Sequence, residues 1–403
     1  ADAPAWKRGS AAGSLYGNLK NGLIAMTEKW QQIQGIYVHI PFCMQKCLYC
    51  DFASFAGKGG LMHQYALKVC EEIRSRAAEM KVEGRATVYF GGGTPSLLPP
   101  EDLELIIAEL RQSELWLEPA EVTLEANPGT IDANRLSAYH RLGIDRISFG
   151  VQSLDDAELK RIGRLHTAQE ALAAIASARE AGFARVSADL MYGLPGQTLT
   201  SFEQTLKLAI ASGVGHLSVY GLTIEEGTPL AAAVSDGSIL LPDEEECEAM
   251  YDRTICCLEQ KGFHRYEISN FAQSGQESLH NIVYWNYLPY MGFGSAACSF
   301  DGQRRRTNAE AIEDYLKGSA PSLEEISTRT GFAEAMFLGL RKTDGVDLME
   351  IKRRFGIDAC EFLAAESASF IKKGLLCLDG KKRRLSLTER GMKFGNEIFR
   401  LFV

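Results

Sequence analysis

Short apolar runs alternate with helical patterns of apolar residues through the first half of the chain. The runs predict buried strands at 36–40, 87–90, 121–125, 146–149, 186–191 and 216–220. Apolar residues at helical spacing occupy the intervals, at 61–82, 101–112, 132–141, 155–162, 168–181 and 200–211. Strands that alternate with helices predict a parallel sheet. Right-handed crossovers would roll six such units into a partial (β/α)6 barrel over 35–230.

The pattern changes towards the end of the chain. Residues 231–318 are mixed and are expected to extend the barrel. Helical periodicity then covers 322–341, 346–355 and 358–373, and it is followed by a hairpin around Asp379-Gly380 and a last helix from about 389. The predicted fold class is therefore α/β, a partial barrel with a C-terminal winged-helix-like α+β domain over 319–403. Residues 1–34 are expected to be a tail. Residues 1 to about 25 lack periodicity, and they are either a native tail or foreign sequence ahead of a natural start at Met26.

Composition and charge narrow the class of protein. Apolar residues make up 46% of the 403 residues and charged residues 24%, as in soluble globular enzymes. The net charge of −9 argues against nucleic acid as a partner. No apolar run approaches the ~18 residues that span a bilayer, and no export signal precedes the first strand. We expect a cytoplasmic protein, and in a reducing compartment clustered cysteines indicate a metal site or catalysis.

Three of the ten cysteines lie in one loop directly after the first predicted strand. Cys43, Cys47 and Cys50 follow a CxxxCxxC spacing. Three thiolates in one loop suit a cuboidal iron–sulfur cluster, whereas structural zinc usually takes four ligands. The residue two positions after Cys50 is Phe52, which cannot be a ligand. One iron would then be open to a substrate or cofactor; a zinc site or accidental proximity are the alternatives.

Polar residues and glycines follow several other predicted strands. Gly91-Gly92-Gly93-Thr94-Pro95 follows the second strand, and its bare backbone would let a ligand approach closely. The other polar residues are Glu125, Gln152, Arg164 and Asp189. In α/β barrels this edge holds the chemistry. Taken singly, each polar residue is more often a surface or cap residue, and a tight turn is the alternative for the glycines.

The cysteine loop after the first strand of a βα barrel resembles the radical S-adenosylmethionine (SAM) superfamily. From about residue 35 to the end, the chain resembles one subgroup, the oxygen-independent coproporphyrinogen III oxidases and their relatives. The stretches that carry this resemblance are YVHIPFCMQKCLYCDF, YFGGGTPSLL, LEANPGT, FGVQS, GRLHT, DLMYGLPGQT and YEISNFA.

This resemblance implies two cofactors. A [4Fe-4S] cluster would be held by Cys43, Cys47 and Cys50, and SAM would chelate its open iron. In the superfamily one electron from the cluster then splits the sulfonium of SAM. The positions that match SAM contacts of the subgroup are Tyr37, Tyr49, Gly92, Gly93, Thr94, Glu125, Gln152, Arg164, Asp189 and Thr223.

Within the subgroup the chain resembles the heme-chaperone branch more than the oxidases. The oxidases carry a further cysteine where this chain has Phe52, and they have a longer N-terminal region. The segment LHNIVYW matches the HNxxYW segment typical of the heme chaperones, whose histidine is implicated in heme binding; here it is His280. Neutral imidazole is a common heme ligand, and Tyr284, Trp285 and Tyr287 would stack on the macrocycle. From the residues alone, a lone histidine beside aromatic residues is usually a packed core residue, and it is the resemblance that favours heme ligation by His280. His39 and His166 are expected to support loops.

Several functions follow from the resemblance. The first is a chaperone that binds heme and delivers it to an acceptor protein. The second is radical decarboxylation of coproporphyrinogen III, and the third is another radical modification of heme. The C-terminal domain would pack on the barrel or dock a partner. An electron donor (if SAM is cleaved), a membrane-associated partner and a homodimer are further expectations.

Overall fold

The computed structural model describes residues 32–82, 85–358, 367–380 and 383–402. The strands are β1 (Gly35–Ile40), β2 (Phe42–Cys43), β3 (Phe55–Ala56), β4 (Thr87–Gly92), β5 (Glu121–Ala126), β6 (Arg146–Gln152), β7 (Arg185–Tyr192), β8 (His216–Gly221), β9 (His264–Arg265), β10 (Asn270–Ala272), β11 (Tyr290–Phe293), β12 (Cys298–Phe300), β13 (Arg304–Thr307), β14 (Ser322–Glu325), β15 (Val346–Asp347), β16 (Leu376–Asp379) and β17 (Arg384–Leu387). The predicted tail lies almost wholly in residues 1–31, outside the described part of the chain.

Helices connect most of these strands. They are α1 (Met62–Arg76), α2 (Pro100–Gln112), α3 (Ala133–Leu142), α4 (Asp156–Arg161), α5 (Ala168–Glu180), α6 (Leu199–Ala211), α7 (Pro229–Ser235), α8 (Glu244–Glu259), α9 (Leu279–Trp285), α10 (Ile312–Lys317), α11 (Thr328–Leu340), α12 (Leu348–Phe355), α13 (Ser367–Lys372), α14 (Glu389–Lys393) and α15 (Gly395–Phe399). None of the helices in the described ranges is long and apolar enough to cross a membrane.

The central sheet has twelve strands in the order β14-β13-β12-β11-β1-β4-β5-β6-β7-β8-β10-β9. Neighbours from β1 to β8 in this order are parallel, with the helices between them in sequence, which confirms the six predicted β/α units. Strand β11 adds a further parallel neighbour to β1, and antiparallel strands complete both edges. The region 231–318 therefore widens the barrel sheet at two edges.

Along each parallel strand, successive side chains point to opposite faces of the sheet. Ile36, Val88, Leu124 and Phe149 belong to one apolar core that also contains helix residues such as Ile106. The alternate positions, among them Tyr37, Tyr89, Glu125, Arg146 and Asp189, therefore form the opposite face, here called the inner face. This face is largely polar, because its residues line the barrel instead of packing on helices.

The C-terminal unit combines helices with a small antiparallel sheet, as expected for a winged-helix-like domain. Its sheet has the order β15-β17-β16. Residues such as Phe332, Met336 and Leu385 share one core with Tyr290 and Phe300 of the barrel extension. The C-terminal unit is therefore packed directly on the extension.

The prediction of a helix from residue 322 was wrong at its start. Residues Ser322–Glu325 form β14, which pairs with β13, and Arg305 donates to Glu324 at 3.0 Å across this pair. The helix begins only at Thr328, after the Ser327 side chain caps it. Pairing with β13 therefore determines the extended conformation of Ser322–Glu325, and the barrel sheet continues past residue 319. In the helix predicted over 358–373, residues 359–366 lie outside the described ranges.

Candidate cluster and cofactor site

The cysteine loop follows β1 and is fastened to the barrel through its backbone. The Leu48 amide donates to the Ile162 carbonyl at 3.1 Å, and the Leu230 amide donates to the Leu48 carbonyl at 2.9 Å. The Cys50 amide donates to the Cys47 carbonyl at 3.2 Å, which forms a tight turn between the two thiols. The loop is thus held at the carboxyl edge of the parallel strands.

All three thiols are partly exposed and lie beside polar groups. Cys43 Sγ lies 3.6 Å from Thr94 Oγ1, and Cys50 Sγ lies 4.0 Å from Ser54 Oγ. Arg164 Nη1 donates to Cys47 Sγ at 3.5 Å. Thiolate is the form that binds metals, and burial raises the pKa of the Cys50 thiol. The structure therefore brings Thr94 and Arg164 to the predicted cluster ligands.

The number of thiols on the loop suits an iron–sulfur cluster. Among the described residues, no three Cys, His, Asp or Glu side chains converge tightly enough to hold one metal ion. In an iron–sulfur cluster each thiolate binds a different iron, so the sulfurs stay apart. Three thiols on one loop can each bind one iron, so they fit a [4Fe-4S] cluster whose fourth iron has no ligand from this loop.

The glycines after β4 pack against the cysteine loop. A Cβ at Gly92 would lie 2.6 Å from the His39 ring, and Gly92 has a φ of +116°. A Cβ at Gly93 would lie 2.8 Å from the Phe42 carbonyl oxygen and 3.1 Å from Cys43 Sγ. Only glycine fits these two positions, because the loop and the strand end approach each other so closely.

Glu125 is fixed beside this strand end. The Tyr89 hydroxyl donates to Glu125 Oε1 at 2.6 Å, and the Gly92 amide donates to Oε2 at 3.1 Å. The side chain stays partly exposed. Since two donors hold the carboxylate, it is oriented towards the same edge as the thiols and could bind an ammonium or ribose hydroxyls.

Gln152 and Arg164 meet next to Gly150. A Cβ at Gly150 would lie 3.0 Å from Gln152 Nε2 and 3.3 Å from Arg164 Nη2, and Arg164 also donates to the Gly150 carbonyl. The sheet register shifts between Gly150 and Gln152, and Gln152 adopts a φ of +66°. This irregularity turns the Gln152 side chain out of the strand alternation, and strained positions of this kind are frequent at functional sites.

Asp189 lies one strand further along the inner face. The Ser148 hydroxyl donates to Asp189 Oδ1 at 3.3 Å. Burial raises the pKa of Asp189, and the nearby Glu125 carboxylate raises it further. The two carboxylates therefore act on each other electrostatically, and a cationic ligand between them would relieve their repulsion.

Two of the predicted tyrosines also lie at this edge. Tyr37 Oη lies 2.9 Å from His39 Nδ1, and His39 Nε2 lies 2.9 Å from the Ala53 carbonyl oxygen. Burial raises the pKa of Tyr49, which lies beside Cys47 and Arg164. Tyr37 thus supports the cysteine loop through His39.

Thr223 and His166 are the remaining predicted residues at this edge, and only His166 has a contact that orders the site. Thr223 lies exposed beyond the end of β8, and within the described ranges it forms no hydrogen bond with the other predicted site residues. His166 Nε2 lies 3.1 Å from the Val151 carbonyl oxygen, so His166 orders the strand end that precedes Gln152.

His280 lies at the other end of the strands. Its backbone amide donates to Glu121 Oε1 at 3.0 Å, and its Nδ1 lies 2.7 Å from Thr87 Oγ1. Glu121 and Thr87 are the first residues of their strands, whereas the cysteine loop follows the last residue of β1. The imidazole is 1% exposed and stacks on Tyr89 at 4.9 Å. The structure therefore does not bring His280 to the thiols.

Sequence reasoning missed three supporting residues. Tyr89 holds Glu125, Ser148 holds Asp189 and Ser54 lies beside Cys50. The alternation of polar residues within the strands marks Tyr89 and Ser148 as inner-face residues, and that signal was available in the sequence.

Comparisons with known proteins define the class. A family model described as the radical SAM superfamily matches residues 37–209. A second model, described as the HemN C-terminal domain, matches residues 328–394. Coproporphyrinogen III oxidase (HemN) from Escherichia coli, a radical SAM enzyme, has the same fold, with a TM-score of 0.79 and 23% identity over 93% of this chain and 91% of that chain. Fold and site together define a radical SAM protein.

Curated relatives narrow the class to one family. Heme chaperone HemW of Bacillus subtilis is 34% identical over 381 residues, which cover 92% of this chain and 99% of that protein. HemW of Escherichia coli is 38% identical over 263 residues, which cover 65% of this chain and 69% of that protein. Radical S-adenosyl methionine domain-containing protein 1, mitochondrial, of Mus musculus is 40% identical over 264 residues, 65% of this chain and 59% of that protein. The chain belongs to the HemW family of heme chaperones.

Proposed function

We propose that this protein is a heme chaperone that carries a [4Fe-4S] cluster and SAM, binds heme and delivers it to an acceptor protein. The observation that carries the proposal is similarity to HemW over 99% of the length of the Bacillus subtilis relative, including the C-terminal domain. The assembled thiols, glycines and acidic residues support the two cofactors.

Different residues at the carboxyl edge of the strands would hold the cluster and SAM. Cys43, Cys47 and Cys50 would bind the cluster, while Gly93 and Thr94 leave room beside it. When bound, the cluster supplies an open iron and a source of one electron. Glu125 is oriented to accept from an ammonium of SAM, and Arg164 is placed to bind a carboxylate. Gln152, Asp189, Tyr37, Tyr49, Gly92 and Thr223 complete the proposed SAM contacts.

Phe52 separates this chain from the oxidases that it resembles in fold. It stands where those enzymes are expected to carry a fourth cysteine, and its side chain is exposed rather than packed in the core. Similarity to the oxidase HemN at 23% identity supports the fold alone. Radical decarboxylation is therefore not the function that we propose.

His280 remains our candidate axial ligand for heme, although its ring is enclosed. Thr87 Oγ1 lies 3.4 Å from the Gln34 carbonyl oxygen, to which it donates, so it accepts from His280 Nδ1. His280 Nε2 then accepts from the Tyr284 hydroxyl at 2.8 Å. Burial lowers the pKa of His280 to about 3, so the imidazole is neutral at physiological pH. Heme ligation requires Tyr284 to turn away from Nε2.

The partners of the proposed function are heme and a heme-acceptor protein. An electron donor would be needed if SAM is cleaved. We further propose a cytoplasmic location, delivery to a membrane-associated acceptor and assembly as a homodimer. Size measurement of the reconstituted protein, with and without cluster, tests the dimer.

Anaerobic reconstitution followed by heme titration tests the function. The Soret band should shift with one-to-one saturation in the wild type. His280→Ala should lose this shift, whereas Tyr284→Phe should bind heme several-fold more tightly because nothing then competes for Nε2. An unchanged titration in His280→Ala would remove His280 from the proposal. No Soret shift in the wild type would remove the chaperone function itself.

A further inference from the structure

Short hydroxyl side chains line the inner face on four neighbouring strands. They are Thr123, Ser148, Ser187 and Ser218 on β5 to β8. On the β1–β4 side the inner face is instead filled by Tyr37 and Tyr89, whose rings stack at 6.2 Å. Ser148 already donates to Asp189 and Ser187 is hydrogen-bonded to His216. A polar ligand group beside β5 to β8 would therefore meet hydroxyl side chains instead of aromatic rings.

Arg146 lies on this polar half of the inner face. It is 2% exposed, and it stands opposite Thr123 in the register of β5 and β6. Within the part of the chain that the structure describes, its guanidinium forms no hydrogen bond or ion pair. A buried charge without a direct partner is expensive, so this guanidinium is available for an anion.

The nearest carboxylates are already engaged by other groups. Glu121 forms an ion pair with Arg185 at 2.8 Å and accepts from the amides of Leu279 and His280, each at 3.0 Å. Asp189 accepts from Ser148 at 3.3 Å. Both act on Arg146 only through space. Neither therefore satisfies the donors of the guanidinium.

Thr123 supplies a second unsatisfied group at the same place. Its Oγ1 is buried and has no hydrogen-bond partner. Thr123 and Arg146 are adjacent in the sheet register, so a hydroxyl and a guanidinium stand side by side on the inner face. A carboxylate, which accepts from both, matches this pair of donors.

We propose that Arg146 and Thr123 bind a propionate carboxylate of heme inside the barrel. The proposal rests on the proposed heme-binding function. The carboxylate of SAM already has a candidate partner in Arg164 beside the thiols, whereas Arg146 begins its strand at the opposite end. A propionate is a carboxylate on a flexible two-carbon arm, and it can reach a buried guanidinium without burying the whole macrocycle.

Comparison of heme with its dimethyl ester in the wild-type protein tests the proposal without any substitution. Esterification removes the propionate charges, so we expect the ester to bind roughly ten- to hundredfold more weakly, the range for a lost charge-assisted hydrogen bond. Arg146→Gln and Thr123→Val should weaken heme binding, the second by less. In Arg146→Gln the heme and its ester should then bind alike. Arg179→Gln, at an exposed arginine, is the matched control.

Three results would overturn the proposal. Equal affinity of the wild type for heme and ester would show that no propionate is anchored. Loss of SAM binding with unchanged heme binding in Arg146→Gln would assign the arginine to the SAM carboxylate. No heme binding by the wild type would defeat both this proposal and the proposed function. If Arg146→Gln does not fold, as judged by melting and cluster content, the ester comparison and Thr123→Val decide.

Discussion

The carboxylate of Glu125 is oriented by two donors, the Tyr89 hydroxyl and the Gly92 amide. Glu125→Gln keeps the shape but removes the charge. We expect SAM affinity to fall about tenfold, as for one charge-assisted hydrogen bond, while the iron content stays unchanged. Calorimetric titration of the reconstituted protein with SAM measures this. Glu118→Gln, at an exposed glutamate, is the control, and unchanged SAM affinity in Glu125→Gln would remove Glu125 from the site.

His166 makes the fold sensitive to acid. Burial lowers its pKa to about 4, and the Arg164 guanidinium adds to this effect. The unfolded chain therefore takes up a proton between pH 6.5 and 4 that the folded chain does not, so stability falls as the pH falls. Between pH 6.5 and 5 this residue should contribute a loss of up to about 2 kcal/mol.

Urea unfolding at pH 7 and pH 5 measures this loss. His166→Gln should lose less free energy of unfolding over this interval than the wild type does. His140→Gln, at an exposed histidine, is the control for removing an imidazole. The same acid sensitivity in His166→Gln as in the wild type would contradict the assignment.

At the scale of elements, the end of β4 is shaped by its approach to the cysteine loop. Gly92→Ala would place a Cβ 2.6 Å from the His39 ring at a φ of +116°. We expect a loss of at least about 2 kcal/mol and poor cluster reconstitution, because the ring must move and the loop with it. In Gly60→Ala no atom lies within 4 Å of the new Cβ. This control should change neither the free energy of unfolding in urea nor the iron content after reconstitution. Full iron content with native stability in Gly92→Ala would refute the packing argument.

Helix α9 links the barrel to the C-terminal unit. At its start Glu121 accepts from two of its amides, and at its end the Arg341 guanidinium lies 4.5 Å from the centre of the Trp285 ring. Arg354 donates to the carbonyls of Asn286 and Tyr287. Any movement of α9 that frees His280 therefore has to loosen contacts with the C-terminal unit.

At the scale of the whole molecule, we expect the contact between α9 and the C-terminal unit to affect heme binding and to leave cluster and SAM binding unchanged. A chain ending at Glu325 keeps β14 and every proposed cluster and SAM ligand, since these lie between residues 37 and 223. It exposes Tyr287, Tyr290 and Phe300, which share the C-terminal core. We expect retained iron and SAM binding, a lower melting temperature and weakened heme binding.

A point variant controls for the exposed surface of the shortened chain. Glu334→Gln removes only the carboxylate that accepts from Tyr287 and Arg305. It should weaken heme binding by less than the deletion does and leave the iron content unchanged. Loss of iron in the shortened chain would instead make the C-terminal unit part of the barrel's own stability.

The sequence alone determined the features that depend on neighbouring residues. Apolar periodicity located β1 and β4 to β8 and the helices between them, because alternation and helical spacing are local consequences of burial. The short spacing of Cys43, Cys47 and Cys50 likewise indicated a cluster loop, since three thiols so close in sequence cannot lie far apart.

Tertiary structure decided the features that depend on distant partners. Ser322–Glu325 became a strand because β13 offered hydrogen bonds and opposite charges, which no local pattern shows. The enclosure of His280 depends on residues from three other segments, and the pairing of Arg146 with Thr123 depends on the register between β5 and β6. Register and enclosure arise only when strands far apart in sequence meet, so periodicity alone could not have predicted them.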